Sequence, residues 1–275
     1  MREFRPLGNT LFPPVVKNLL IINGIMFLAS SVFGQSLGIN LEKHLALYYF
    51  TSPDFRIWQL VTHIFMHGSL GHLFSNMFAL WMFGSFIENF LGPKKFLTYY
   101  IITGIGASIL FTAVQFVEIN PLQQHVEIYE AQPSLNNFKS FIENDVKQDY
   151  LPDFERVADY WSTHPNNDDA KRASVNITKE YLDLKINTPM VGASGAVFAL
   201  LFAFGYLFPN MLVYIYFFIP MKAKYLVILY GAFELYNGIA SNPGDNVAHF
   251  AHLGGMLIGF IMIKIWDIQR PGQFN

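Results

Sequence analysis

Apolar residues gather into six long runs, at about 15–33, 70–91, 96–117, 189–208, 224–240 and 247–266, with polar or mixed chain between them. Each run comes near the roughly 20 residues that cross a bilayer as an α-helix, so the pattern predicts six transmembrane helices. No small-residue cleavage site follows the first run, Val15 to Phe33, which is therefore expected to be retained as a span. The stretch LGINLEKHLALYYFTSPDFRIWQLVTHIFMHGSL is mixed in polarity and rich in aromatics, as expected of chain lying along a membrane interface. PNMLVYIYFFIP is apolar but too short to span, and Pro209 and Pro220 fence it; it is expected to skim the membrane or to finish the fourth span.

Between the third and fourth runs lies a long polar segment, 118–188. Within it, SLNNFKSFIENDVKQDY, PDFERVADYW and DDAKRASVNITKEYLDLKI each show apolar positions at helical spacing between Pro, Asn and Asp stops, which predicts two or three short amphipathic helices. The expected organisation is an N-terminal half over 1–117 (spans one to three with an interfacial first loop), an insertion over 118–188, and a C-terminal half over 189–275 (spans four to six).

Composition agrees with a membrane reading. Hydrophobic residues make up 52% of the 275 and charged residues 14%, well under the roughly 25% of soluble domains. With 18 Lys and Arg against 20 Asp and Glu, nothing suggests a nucleic-acid surface. The lack of cysteine removes disulfides, thioether haem attachment and thiolate metal sites. Arg2, Arg5, Lys17, Lys94, Lys95, Lys222, Lys224, Lys264 and Arg270 all fall on one side of a six-span chain, which predicts cytoplasmic termini. The first loop, the SNPGDN turn and 118–188, with seven basic and thirteen acidic residues, then face the other side.

Counting inward from that outer side places Ser194, His252, His72 and Asn76 in one layer, roughly 5–10 Å deep. Polar side chains inside a membrane are costly and are functional candidates by default. Taken singly, Ser194 reads as a helix-packing hydroxyl, and His72 and Asn76 as links to a neighbouring helix; together at one depth they read as a site. A serine becomes a nucleophile when a base lies within hydrogen-bond reach. His72 and Asn76 are one turn apart on one helix face and can donate toward an oxyanion. Of the remaining imidazoles, His252 precedes Gly255 and Gly259 at +3 and +7, a ridge that permits close helix approach, and Gly192, Gly195 and Ala199 supply a matching surface beside Ser194. His249, one turn nearer the surface, is expected at the lip of the site, and Phe198, one turn after Ser194, against the imidazole.

Asp245, about two turns above His252, is too far to orient it, while Glu234 sits within span five and Glu88 near the far end of span two; a Ser194–His252 dyad is the simplest expectation. Ala196 replaces the second glycine of a G-x-S-x-G elbow, so Ser194 is expected instead at a helix start, with its own N–H free for an oxyanion. His63, His67 and His72 have no acidic partner in an H-E-x-x-H arrangement, and neither metal nor cofactor is expected.

THIFMHGSLGHLFSNMFALWMFG, GASGAVFALL and VAHFAHLGGMLIGF, in this order, closely resemble the rhomboid family of intramembrane serine proteases. The resemblance implies a six-helix bundle, with Ser194 as nucleophile, His252 as base, and His72 and Asn76 on the oxyanion side. It further implies cleavage of transmembrane protein substrates in or near their helices, within membrane lipid and without metal or nucleotide. The expected setting is a bacterial cytoplasmic (inner) membrane with the site opening outward; homo-oligomerisation is left open. Three features depart from the family pattern: Gln59 follows Trp58 where arginine is common, Phe198 stands where a tyrosine often stacks on the base, and the insertion is long. The alternatives are an inactive rhomboid-like scaffold that binds transmembrane clients, and a small-solute transporter.

Overall fold

The computed structural model describes residues 10–215, 218–240 and 248–271. Arg2, Arg5, Asp245 and the SNPGDN turn lie outside them.

Helix α1 (Pro14–Leu37) opens on a proline, whose fixed φ suits a first helical position. The next two N–H groups are capped from a distance: Val15 and Val16 donate to the two carboxylate oxygens of Glu88, at 2.9 and 2.7 Å. Glu88 is 2% exposed, so its charge is held by these bonds and by the positive end of the helix. Its role is structural. Glu88→Ala is expected to lower stability by about 1–3 kcal/mol, the cost of stranding buried donors, and Glu88→Gln by less; thermal unfolding in detergent checks both.

The interfacial stretch holds two short helices, α2 (Leu41–Leu45) and α3 (Gln59–Thr62). Gln59 is fully buried there and acts as a clamp: its Nε2 donates to the Asp54 carbonyl at 3.0 Å, and its Oε1 accepts from the Arg56 N–H at 3.0 Å. The second apolar run forms α4 (Leu70–Ala79), a π-helical turn at Leu80–Gly84, and α5 (Ser85–Leu91). Ser69 caps it by accepting the His72 N–H at 3.1 Å.

Helix α6 (Pro93–Ala131) continues past residue 117, where the third run was expected to end. The physical reason is a change of partner rather than a break. Ile119, Leu122, Val126 and Tyr129 keep one face buried at helical spacing, and Pro121 removes only a single backbone donor. That face packs on α7 (Leu135–Asp145), α8 (Leu151–Thr163) and α9 (Asp168–Asn187), which occupy the three amphipathic stretches. Phe138, Phe141, Phe154, Trp161 and Tyr181 fill a second apolar core between them. Side chains of Ser134 and Asn167 cap the first turns of α7 and α9.

The rest comprises α10 (Ser194–Leu207), strands β1 (Leu212–Ile215) and β2 (Ile219–Lys222), α11 (Ala223–Ala240) and α12 (His249–Ile265). PNMLVYIYFFIP does not finish the helix of the fourth run: the chain leaves it after Phe208, and 212–215 pairs antiparallel with 219–222, Leu212 opposite Lys222 and Tyr214 opposite Pro220. Both strands have a free edge, where a proline without an N–H is tolerated. The chain is therefore largely helical rather than wholly so.

Among the described residues, three helices are long and apolar enough to cross a membrane, at Pro14–Gly34, Leu70–Leu91 and Pro93–Ala131. Ser194–Leu207 and His249–Ile265 are apolar but shorter, at 14 and 17 residues. Exposed Ile21, Ile25 and Leu28 on α1, and Ile228, Phe233 and Ile239 on α11, form apolar faces that suit lipid better than water. The protein is a multi-pass membrane protein.

At the centre lies α10, buried on nearly every side, as an all-apolar helix must be. A Cβ on Gly255 of α12 would run into the Gly195 carbonyl, and one on Gly259 would meet Tyr99 and Ala199. The two helices therefore touch backbone to backbone beside the start of α10.

Candidate active site

The chain enters α10 through a tightly held loop. Met190 and Leu47 exchange backbone hydrogen bonds of 2.8 and 2.9 Å, joining the loop to the interfacial segment. The Gly192 N–H then donates to the His63 carbonyl at 2.9 Å, and the His63 ring is in turn held by its Nδ1, 2.7 Å from the Gln59 carbonyl. His63 thus supports the loop. Gly192 has φ +122°, and a Cβ there would lie 2.7–2.8 Å from the His72 ring. The glycine is needed for its conformation and for that ring. Gly192→Ala is expected to cost about 1–3 kcal/mol of strain and to displace His72; thermal unfolding in detergent checks the loss of stability.

Ser194 is the first residue of α10. Sequence reasoning put the start of the span at 189, but 189–193 is non-helical. Val197 is the first residue to bond back, to the Ala193 carbonyl at 3.0 Å, so the Ser194 and Gly195 N–H groups precede the helical ladder.

The Ser194 Oγ lies 2.8 Å from His252 Nε2. Phe198 stacks on the imidazole, with centroids 4.1 Å apart and planes 6° from parallel. On the far side of the ring lies a carboxylate that the dyad expectation did not include: His252 Nδ1 is 2.9 Å from Glu234 Oε2, and His249 Nδ1 is 2.6 Å from the same oxygen. An ionised carboxylate only accepts, so both Nδ1 atoms carry protons and a neutral His252 offers Nε2 as acceptor for the serine hydroxyl. Glu234, His249 and His252 are all buried, at 4%, 8% and 8% exposure, where such bonds are strong and their loss costly. His249 therefore faces the carboxylate. The donor atoms of these three residues lie within 4.8 Å of one another, a set of the type that can hold a divalent ion such as zinc, although two of them are spent on hydrogen bonds to the third.

On the other side of Ser194, α4 brings His72 and Asn76 against Gly192. Asn76 is buried, and its amide donates one hydrogen to the His72 carbonyl at 3.0 Å, which fixes the side chain and leaves its second hydrogen. His67 packs edge-on against His72 at 5.1 Å, and both of its ring nitrogens are buried without a hydrogen-bond partner among the described residues. A cavity of about 10 Å³ beside Ser194 is lined by His63, Gly104, Ser108, Gly192 and Ala251, close to the smallest volume that admits one water. Gly195, Gly255 and Gly259 lie where helices pack closely together.

Fold and site together define a largely helical, multi-pass membrane protein with a serine, an imidazole and a carboxylate in one hydrogen-bonded chain at the head of its central helix. The chain belongs to the rhomboid family, a group of intramembrane serine proteases: the Rhomboid domain model matches residues 54–119 and 170–266, more than half of it. The unmatched stretch between these blocks holds the end of α6, all of α7 and α8, and the connection to α9. The chain is similar to RHOMBOID-like protein 12, mitochondrial, of Arabidopsis thaliana, 27% identical over 95% of this chain and 60% of that one. It is also similar to an uncharacterised mitochondrial rhomboid protein of Schizosaccharomyces pombe, 26% identical over 82% of this chain and 56% of the relative. Rhomboid protease GlpG of Salmonella choleraesuis is 28% identical over a shorter stretch, 34% of this chain and 32% of that one. The chain thus spans less than two thirds of the length of each of these relatives.

Proposed function

We propose that this chain is an intramembrane serine endopeptidase that cleaves peptide bonds in or near the transmembrane helices of membrane-protein substrates. The 2.8 Å contact between Ser194 Oγ and His252 Nε2, made between two helices in a buried site, is the observation that carries the reading.

A substrate segment unwinds beside Ser194, because a carbonyl inside a helix is screened from attack. The Ser194 oxygen adds to that carbonyl carbon while His252 Nε2 takes its proton. Glu234 is a positioning residue: by accepting the Nδ1 proton it keeps Nε2 as the basic nitrogen and stabilises the imidazolium that forms. His72, the second amide hydrogen of Asn76 and the Ser194 N–H donate to the developing oxyanion. His252 returns its proton to the leaving amine, and a water then hydrolyses the ester on Ser194 with His252 again as base. Phe198 restricts the imidazole by stacking. The proposed topology places the termini in the cytoplasm and the head of α10 at the outer face of a bacterial inner membrane, and 118–188 is proposed to be an extracytoplasmic insertion on a six-span core.

Purified protein reconstituted in liposomes with a panel of single-span substrates tests this. The reading requires two fragments joined before cleavage by a bond in or near the spanning segment; intact substrates across a panel with varied helix-breaking residues would contradict it.

A further inference from the structure

The end of α10 remote from Ser194 carries a second cavity. It measures about 380 Å³ and opens between the last turn of α10, the first turns of α11 and the chain after α12. Its walls divide by chemistry. Phe202, Val227 and Ile228 make an apolar side, while Lys224, Arg270 and Asn210 make a polar one, and no acidic residue lines it among the described residues.

The two cations are held in place without being neutralised. Arg270 donates its Nε to the Tyr206 carbonyl at 2.9 Å and lies over the Tyr206 ring at 4.8 Å, which leaves the outer guanidinium N–H groups to a ligand. Lys224 lies 5.1 Å from the Tyr225 ring. Neither forms an ion pair among the described residues. Lys264 sits over the same Tyr206 ring at 5.5 Å and adds to the positive field. Close packing of Gly205 on Val227 joins α10 and α11 at the cavity, while Ile228 beyond it is 66% exposed on the lipid-facing side of α11.

We infer that this cavity binds an anionic phospholipid, its phosphate held between Lys224 and Arg270 and one acyl chain laid along Phe202, Val227 and Ile228. A lone soluble phosphate has no use for the apolar wall, and a zwitterionic lipid brings a head-group cation that Lys224 and Arg270 repel and no acidic lining residue answers. Basic pockets between membrane helices at the positively charged side recognise anionic head groups by this chemistry. A lipid there would tie α10, which begins with Ser194, to α11, which carries Glu234.

Delipidated protein in a neutral detergent, titrated with phosphatidylglycerol, cardiolipin or phosphatidylcholine and read by native mass spectrometry and thermal midpoint, tests the site. The anionic lipids should be retained and raise the midpoint, phosphatidylcholine should do so weakly, and inorganic phosphate should not. Lys224→Gln and Arg270→Gln should each weaken anionic-lipid binding by about fivefold, and Lys224→Arg should keep it. Should Arg270→Gln unfold, the Lys224 pair still decides. Equal binding of phosphatidylcholine, an undiminished anionic preference in Lys224→Gln, or full reproduction of the effect by phosphate would overturn the proposal.

Discussion

Ser194→Ala and His252→Ala should each abolish cleavage of a reconstituted transmembrane substrate, a loss of about 10⁴–10⁶-fold in kcat if the pair acts as a unit. The expectation follows from the geometry. With the hydroxyl gone there is no oxygen to attack; with the imidazole gone, Ser194 keeps its place at the head of α10 but has no acceptor 2.8 Å away to take its proton. Because the two residues serve one step, the double variant should be no worse than either single one. Ser194→Ala removes a single half-buried oxygen, so its thermal midpoint should stay close to the parent's. Unaltered cleavage in either variant would remove that residue from the mechanism.

Glu234→Gln should lower kcat by about 10²–10⁴-fold with little change in KM. The substitution preserves shape and reverses a proton. A glutamine amide turned toward His252 donates to Nδ1, which moves the imidazole proton to Nε2, where it faces the Ser194 oxygen and can no longer receive from it. Glu234→Asp, shorter by one methylene, should recover part of the rate. A purely structural role predicts instead that Glu234→Gln behaves as the parent, since size and burial hardly change. Parent activity that survives chelation would separate this positioning role from a metal held by Glu234, His249 and His252.

How far the sequence foretells this arrangement differs by feature. Apolar runs mark the helices because a membrane demands long apolar stretches with internal hydrogen bonding, so α1, the 70–91 helix and the start of α6 stand near their expected places. Their ends are harder. Beyond residue 117, α6 becomes polar on one side while Ile119, Leu122, Val126 and Tyr129 continue at helical spacing; total apolarity hides that periodicity. Conversely, 212–215 and 219–222 are apolar enough for a helix end, and only cross-strand pairing, which no local window records, makes them a sheet. The site follows the same division. Ser194, His252, His72 and Asn76 could be grouped by depth and by helix face; in the structure Ser194 meets His252, and His72 and Asn76 lie against Gly192.

Glu234 was within reach of the same reasoning. Counted inward from residue 240, the expected outer end of span five, it lies about as deep as His252 does in span six. The Met190–Leu47 bridge and the support of Gly192 by the His63 carbonyl are different in kind. They join backbone groups far apart in sequence, and no residue type is needed for them.

The most direct measurement of the central claim is the position of a covalent adduct after treatment with a fluorophosphonate, which reacts only with an activated serine oxygen. Peptide mapping of the reconstituted protein should place the adduct on Ser194, its appearance should parallel the loss of substrate cleavage, and it should fail to form in His252→Ala. An adduct on another serine that accounts for the lost activity, or continued cleavage by protein fully modified at Ser194, would contradict the account.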